Sequence, residues 1–286
     1  MGSPARAAYT GGMDALPGKV FLVSAPRGQG RPASFWRFEG APASGNGKTP
    51  VLALAGLGLD GRVFSRLASL ARGRDLVLAN LPNDFPPSAR MEDMGRAAWE
   101  ILDAAGHAGR PAVLMGSSFG GMAALAAAAE RPDRTAGLVL IGTAPSWSFV
   151  SARLRAASAV HGLVPRRAYP RVFAAVMLPP LKRIDPAVKA GLRLQMLHRT
   201  KGFVGACLHA MRGFDALPGL PSLRVPALVV HGDDDGVLPP RAGAALAAGL
   251  PRAALVAMAG AGHLPHVSRA AETAAAVEAF LSREGL

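Results

Sequence analysis

A single cysteine, Cys207, stands in a chain of 286 residues. It excludes an internal disulfide, and no grouping of Cys and His has metal-ligand spacing, so neither a disulfide scaffold nor a metal site is expected. Runs of about 18 apolar residues are also missing, although hydrophobic residues make up 50% of the sequence. That combination argues against a membrane-spanning helix and predicts a soluble globular protein. Residues 1–18 are rich in Gly, Ala and Pro but hold no apolar segment of the signal-peptide kind, which predicts a flexible tail and a cytoplasmic location. Acidic residues are scarce: 19 Asp and Glu face 32 Lys and Arg, for a net charge of +13. Most of the basic residues are arginine in a chain rich in Ala, Gly and Pro, a composition that GC-rich coding produces. No nucleic-acid partner is inferred from it. Internal repeats are absent as well.

What is present is organised around residues 111–132. The apolar run 112–115 suits a buried strand, and residues 122–130, rich in alanine and stopped by Pro132, suit a helix. Between them stands Gly116-Ser117-Ser118-Phe119-Gly120, a Gly-x-Ser-x-Gly pattern in the strand–turn–helix setting of a nucleophile elbow. Such a turn lifts the serine hydroxyl clear of the sheet. Gly116 and Gly120 are required because a Cβ at either position would collide with a neighbouring element. The competing reading is a glycine-rich turn with a bystander serine, and further parts of a site have to decide between them.

The rest of the chain alternates strand and helix. Residues 20–24 and 34–39 read as two opening strands in an antiparallel pair, with a turn at 26–30 and a loop over 41–50. A strand at 51–55 runs into Gly56-Leu57-Gly58-Leu59-Asp60-Gly61, followed by a helix over 63–71. A Gly-x-Gly-x-x-Gly loop in that position invites a dinucleotide-binding reading, which wants an acidic residue at the end of the next strand to hold a ribose. The next strand, 75–79, ends at Asn80, and two probable strands precede the motif. No dinucleotide cofactor is therefore expected. The same loop can serve an oxyanion instead, with the Leu57 N–H as one donor and the N–H of Phe119, the residue after the serine, as the other. A helix at 91–106 and a strand at 137–141 follow. Residues 146–214 then show only helical periodicity, divided by Pro165, Pro179, Pro180 and Pro186, and read as an all-helical inserted cap between core segments 19–145 and 215–286. Alternation resumes with a strand at 227–230, a helix at 241–248 closed by Gly249, a strand at 254–258 and a helix at 271–281.

A serine hydroxyl is a weak nucleophile and needs a base, which in turn needs an orienting acid. Both should follow strand ends. The strand at 227–230 runs into His231-Gly232-Asp233-Asp234-Asp235-Gly236-Val237-Leu238-Pro239, and the strand at 254–258 into Ala259-Gly260-Ala261-Gly262-His263. In order along the chain these motifs resemble the α/β-hydrolase-fold serine hydrolases, over about residues 20–281. That family's acid loop, Gly-x-x-Asp-x-Val-hydrophobic-Pro, is matched by Gly232, Asp235, Val237, Leu238 and Pro239; its base loop, Gly-x-Gly-His, by Gly260, Gly262 and His263.

The resemblance implies an α/β fold with a mostly parallel sheet flanked by helices. Ser118 would be the nucleophile, His263 the base and Asp235 its orienting carboxylate, with no cofactor. Asp233 and Asp234 are alternative acids or loop-holding residues, His266 a poor second base, His231 a structural histidine and Cys207 a packed core thiol. Two departures stand out: Ala55 precedes Gly56 where the family has His, and the stretch after Asn80 lacks the family's usual glycines. Serine at position 118 argues against the dehalogenases and epoxide hydrolases, which attack with a carboxylate.

The expected reaction is cleavage of a carboxylic ester through an acyl-enzyme. The alternatives are a thioesterase or acyltransferase acting on carrier-protein or coenzyme A thioesters, hydrolysis of a carbon–carbon bond, and a binding protein that kept the fold. Twelve basic residues but one acidic residue, Asp185, fall within 150–212. A basic cap favours anionic partners: an acidic carrier protein, a coenzyme A ester, an anionic ester substrate or an anionic membrane surface; the competing reading is a solvated positive face with no dedicated partner. The cap resembles the lid of pimeloyl carrier-protein methyl ester esterases, although the elbow and the loop after Asn80 differ from theirs.

Overall fold

Eight short segments dominated by Val, Leu and Ala pair into one sheet in the order β1-β2-β4-β3-β5-β6-β7-β8. The computed structural model describes residues 20–25, 33–38 and 48–286; the expected tail at 1–18, the turn at 26–30, Glu39 and most of the loop at 41–50 lie outside them. The strands are β1 (Val20–Ala25), β2 (Ala33–Phe38), β3 (Val51–Leu54), β4 (Leu76–Asn80), β5 (Ala112–Ser117), β6 (Thr135–Ile141), β7 (Ala227–Gly232) and β8 (Ala253–Met258). β2 pairs antiparallel with both β1 and β4, and every other pairing is parallel. Central strands β3 and β5 are buried along their whole length. That is why they read as continuous apolar runs and not as alternating ones.

Two helices pack closely against each other. α1 (Met91–Leu102) and α2 (Phe119–Glu130) meet where Gly95 lies so near the Ala127 backbone that a Cβ would come within 2.8 Å of its nitrogen. Trp99 Nε1 donates across the same contact to Ala127 C=O (3.0 Å). Ten of the twelve α2 residues are buried, so its alanine content is a packing requirement: small side chains let α2 sit flush on the sheet.

Between β6 and β7 the chain departs from the sheet and forms α3 (Ala152–Ala159), α4 (Tyr169–Met177), α5 (Pro186–Leu197) and α6 (Lys201–Arg212). An antiparallel bridge between Ser146 and Asp215, with Ala216 N–H on Pro145 C=O (2.8 Å), brings the two ends of this excursion together. α7 (Arg241–Gly249) and α8 (Ala270–Arg283) complete the fold.

Three elements differ from the periodicity reading. The segment after the glycine loop winds as a 3-10 helix from Gly61 to Ala71. The helix from Met91 stops at Leu102 and passes into a wider turn, Asp103–His107, which Gly106 interrupts at φ 92°. Gly249 does not close α7 by a left-handed conformation: Leu250 caps the helix, and Gly249 is small because a Cβ there would meet Leu220 Cδ1 at 2.6 Å. Among the described residues no helix is long and apolar enough to cross a membrane, and no group of three or more His, Cys, Asp or Glu is placed to hold a metal ion.

Candidate active site

Four loops after the carboxyl ends of β3, β5, β7 and β8 converge, as expected where parallel strands end on one edge of a sheet. Ser118 sits between β5 and α2 with φ 54° and ψ −121°, outside the regions ordinarily open to a residue with a side chain. Its surroundings enforce the turn. A Cβ on Gly116 would lie 2.3 Å from Gly120 C=O, and one on Gly120 would lie 2.0 Å from Leu54 C=O. The Ser118 N–H donates to Ile141 C=O (3.0 Å), and the Ser118 carbonyl accepts from Gly121 N–H (2.9 Å) and from buried Thr143 Oγ1 (2.6 Å).

His263 reaches this serine from the loop after β8. A carboxylate can only accept, so His263 Nδ1–H donates to Asp235 Oδ2 (2.8 Å). Nε2 is then the free acceptor, and Ser118 Oγ–H donates to it (2.9 Å). The other Asp235 oxygen, Oδ1, takes the backbone N–H groups of Val237 (2.8 Å) and Leu238 (2.9 Å). Burial alone would push the Asp235 carboxyl up. The positive charge available on His263, with hydrogen bonds from His231, His263 and Leu238, outweighs burial and holds it below the usual carboxylate range.

The other titratable neighbours have structural partners. Asp233 Oδ1 accepts from Gly260 N–H (2.7 Å) and so ties the β7 and β8 loops together. Asp234 pairs with Lys182 (3.0 Å) and Arg183 (3.1 Å) of the inserted helical region, whose hydrogen bonds lower its pKa. His231 Nε2–H donates to Leu238 C=O (2.9 Å) and lies 3.3 Å from Asp235 Oδ2, bracing the acid loop from behind. His266 is fully buried, stacked on Phe64 with 4.9 Å between ring centroids. Burial, with the nearby His263 charge, pushes its pKa down to about 3, so it is a neutral ring packed in the core. Cys207 is buried in α6, and burial raises its thiol pKa against the opposing charge of Arg199.

Leu57 follows β3 in a turn closed by Leu59 N–H on Gly56 C=O (3.0 Å), and Phe119 is the first residue of α2. Gly56 lies close enough that a Cβ there would stand 3.4 Å from Ser118 Cβ. In front of Ser118 opens a cavity of about 730 Å³, mouth included, whose walls come from Leu57, Val237 and Leu238 on the core side and from Phe173, Met177 and Met211 on the inserted helices. Its lining side chains with a polar atom are those of Ser118, Trp147, Ser158, His161 and Tyr169. No Lys or Arg contributes, despite the many on those helices.

Periodicity and motif reading missed three contacts here. Thr143 holds the elbow carbonyl, while Gln195 and Arg199 reach the loop after β3 from the inserted region. The last two stand 135 and 141 positions from their partners, and nothing local marks them.

The glycine-rich loop does not carry the dinucleotide signature either. Asn80, where an acid would hold a ribose, accepts the Gly61 N–H on its Oδ1 (3.1 Å).

Comparison with known proteins agrees with this architecture. The chain is 30% identical over 227 residues to a pimeloyl-[acyl-carrier protein] methyl ester esterase of Chromobacterium violaceum, covering 76% of this chain and 88% of that protein. It is 32% identical over 243 residues to polyketide synthase ThaQ of Burkholderia thailandensis, covering 81% of this chain but spanning only 12% of that much longer protein. The structure of an esterase from Thermogutta terrifontis superposes with a TM-score of 0.76 at 26% identity, over 93% of this chain and 99% of that one. The model of the alpha/beta hydrolase family matches residues 51–276, and the chain belongs to that family.

Proposed function

We propose that this protein is a serine hydrolase that cleaves carboxylic esters through an acyl-enzyme on Ser118. The observation that carries the reading is the hydrogen-bonded series Ser118 Oγ, His263 Nε2, His263 Nδ1, Asp235 Oδ2, at 2.9 and 2.8 Å, opening onto an apolar cavity. In the first half-reaction Ser118 Oγ attacks the ester carbonyl while His263 takes its proton. Asp235 keeps Nδ1 protonated and stabilises the imidazolium. The Leu57 and Phe119 N–H groups receive the oxyanion, and His263 then protonates the departing alkoxide. A water molecule, deprotonated by the same nitrogen, releases the acid.

The cavity lining names the kind of group admitted. Apolar walls without a cation fit an uncharged acyl or alkyl chain, and any anionic part of the substrate stays outside. The inserted helices act as a cap that selects chain shape. Their basic outer face suits an acyl group presented by an acidic carrier protein, the type of substrate named for the Chromobacterium violaceum relative. The match to a segment of a polyketide synthase favours keeping thioester cleavage or acyl transfer as the second reading, since both use the same attack.

A fluorophosphonate probe separates these enzymes from a binding protein. It is expected to label Ser118 stoichiometrically, and Ser118→Ala to block labelling and lower kcat on a nitrophenyl ester by roughly 10⁴ to 10⁶. Retention of more than a few per cent of activity would refute the assignment. Parallel turnover of matched ester and thioester substrates then orders the two readings.

A further inference from the structure

The turn that presents the Leu57 N–H is shaped from outside itself. Gly56-Leu57-Gly58-Leu59 makes one internal bond, Leu59 N–H to Gly56 C=O, and depends on Gly58 at φ 81°. Ala55, just before it, offers no polar side chain. The next groups along the loop are instead held by Gln195, in the last turn of α5, and by Arg199, two residues past its end. Gln195 Oε1 accepts the Asp60 N–H (2.9 Å). Arg199, four residues on, places Nη2 on Leu59 C=O, Nε on Gly58 C=O (3.4 Å) and Nη1 on Asn83 Oδ1 (3.0 Å). Both side chains are buried, and the Phe203 ring backs the guanidinium at 4.9 Å. The Phe173 ring lies against Gly58 so tightly that a Cβ would meet it at 2.4 Å. A planar group with several fixed donors can hold adjacent carbonyls at once, which a lysine cannot.

Of the basic residues in the inserted region, Arg199 thus has a partner set directed at the site and not at solvent. Oxyanion stabilisation depends on donors fixed in place before the charge develops, because a donor that must reorganise during the reaction contributes less. We infer that Arg199, together with Gln195, is a positioning residue for the oxyanion donor at Leu57, so that catalysis requires the inserted helices to be docked. The inference rests on the acyl-enzyme reading above. It makes the inserted region part of the catalytic apparatus: lifting α5 away withdraws Arg199 and Gln195 and leaves the Leu57 turn slack.

The test compares two ketone inhibitors in wild type, Arg199→Met, Arg199→Lys and Gln195→Met. Ser118 Oγ adds to the carbonyl carbon of an alkyl trifluoromethyl ketone, the carbonyl electron pair moves to oxygen, and the serine proton goes to His263. The product is an oxyanion in the hole. The matching methyl ketone binds in the cavity without appreciable addition. Arg199→Met is expected to lower kcat on a short nitrophenyl ester by about 10- to 100-fold, short of the 10²- to 10³-fold typical when a donor itself is lost, with KM nearly constant. Its trifluoromethyl ketone affinity should fall by a similar factor while methyl ketone affinity stays within about twofold. Arg199→Lys should recover only part, and millimolar methylguanidinium should restore part of the Arg199→Met loss.

An unchanged trifluoromethyl ketone affinity, or an equal loss for both ketones, would overturn the inference, since the second result marks a collapsed cavity. If Arg199→Met does not fold, Gln195→Met carries the same comparison at the Asp60 N–H. A wild-type protein that neither turns over esters nor takes the fluorophosphonate label fails the acyl-enzyme reading itself. Active wild type with unaffected variants fails only the positioning role.

Discussion

Ser118 and His266 show how much a single position can hold in this fold. Ser118 is kept at φ 54° by clashes that Gly116 and Gly120 avoid and by the bond from Thr143 to its carbonyl, so its strain is sustained by neighbours that a serine alone could not provide. His266 stores a different liability, a histidine that must stay neutral inside the core. Phe64 stacks on it, burial opposes its protonation, and a positive charge formed on His263, three residues earlier, would oppose it further. Its pKa is near 3 when folded and about 6.5 when unfolded. The unfolded chain therefore binds the proton more readily, and stability rises with pH across that window. The contribution is fully present above about 6.5 and is lost at about 1.4 kcal/mol per pH unit below it, or about 2 kcal/mol by pH 5. His266→Phe, which keeps an aromatic ring on Phe64, is expected to melt less acid-sensitively. Thermal melts at pH 7 and pH 5 check this: the drop in Tm should be clearly smaller in the variant, and equal drops would remove His266 as a source of acid sensitivity.

At the level of elements, the loop after β3 illustrates what local sequence can and cannot disclose. The spacing of Gly56, Gly58 and Gly61 fits two chemistries, and the identity of residue 80, with the two strands that precede the motif, separated them. The structure uses Asn80 to hold the Gly61 N–H, and Gly61 itself is pressed on Leu78, where a Cβ would come within 2.7 Å. A turn packed this way leaves its glycines spoken for by the protein, and NAD(H) at up to millimolar concentration is expected to produce neither a titratable fluorescence change nor a shift in Tm. Saturable binding at micromolar levels would reverse that reading.

The meeting of Ser118, His263 and Asp235 was legible because each lies within a few residues of the end of an apolar strand, and parallel strands end on one edge; the order of the strands across the sheet was not. Boundaries were less legible. α2 begins at Phe119, directly after Ser118, and not at Met122, because the elbow passes straight into the helix. The role of Gly249 was misread because packing against Leu220, a long-range contact, and not backbone conformation fixes it. Gln195 and Arg199 were illegible for the same reason: their partners lie on the far side of the sequence.

Across the whole molecule, charge is sorted by position, and the structure divides the basic residues of 150–212 into two sets. Arg199 is buried against the Leu57 loop, Lys182 and Arg183 pair with Asp234, and Lys189, Lys201 and Arg212 donate to nearby carbonyls. These six dock the inserted helices onto the core or onto each other. Arg153, Arg155, Arg166, Arg167, Arg171 and Arg193 are exposed. A groove beside them, formed by Arg166, Pro170, His198 and Lys201 among others, opens on the outer surface while the cavity leading to Ser118 carries no cation. Under the proposed function, charge acts on approach and apolar contact acts on entry. Steering by exposed charge weakens with ionic strength as the Debye length falls from about 10 Å at 0.1 M salt to about 3 Å at 1 M. For an acyl ester carried on an anionic group, kcat/KM is expected to drop several-fold over that range, through slower capture, with kcat nearly constant. A neutral short-chain ester should change little. Arg166→Glu combined with Arg167→Glu should reproduce the loss at 0.1 M salt for the anionic substrate alone, because neither residue lines the cavity. Matching salt profiles for the two substrates would mean that the exposed arginines serve solubility and not capture.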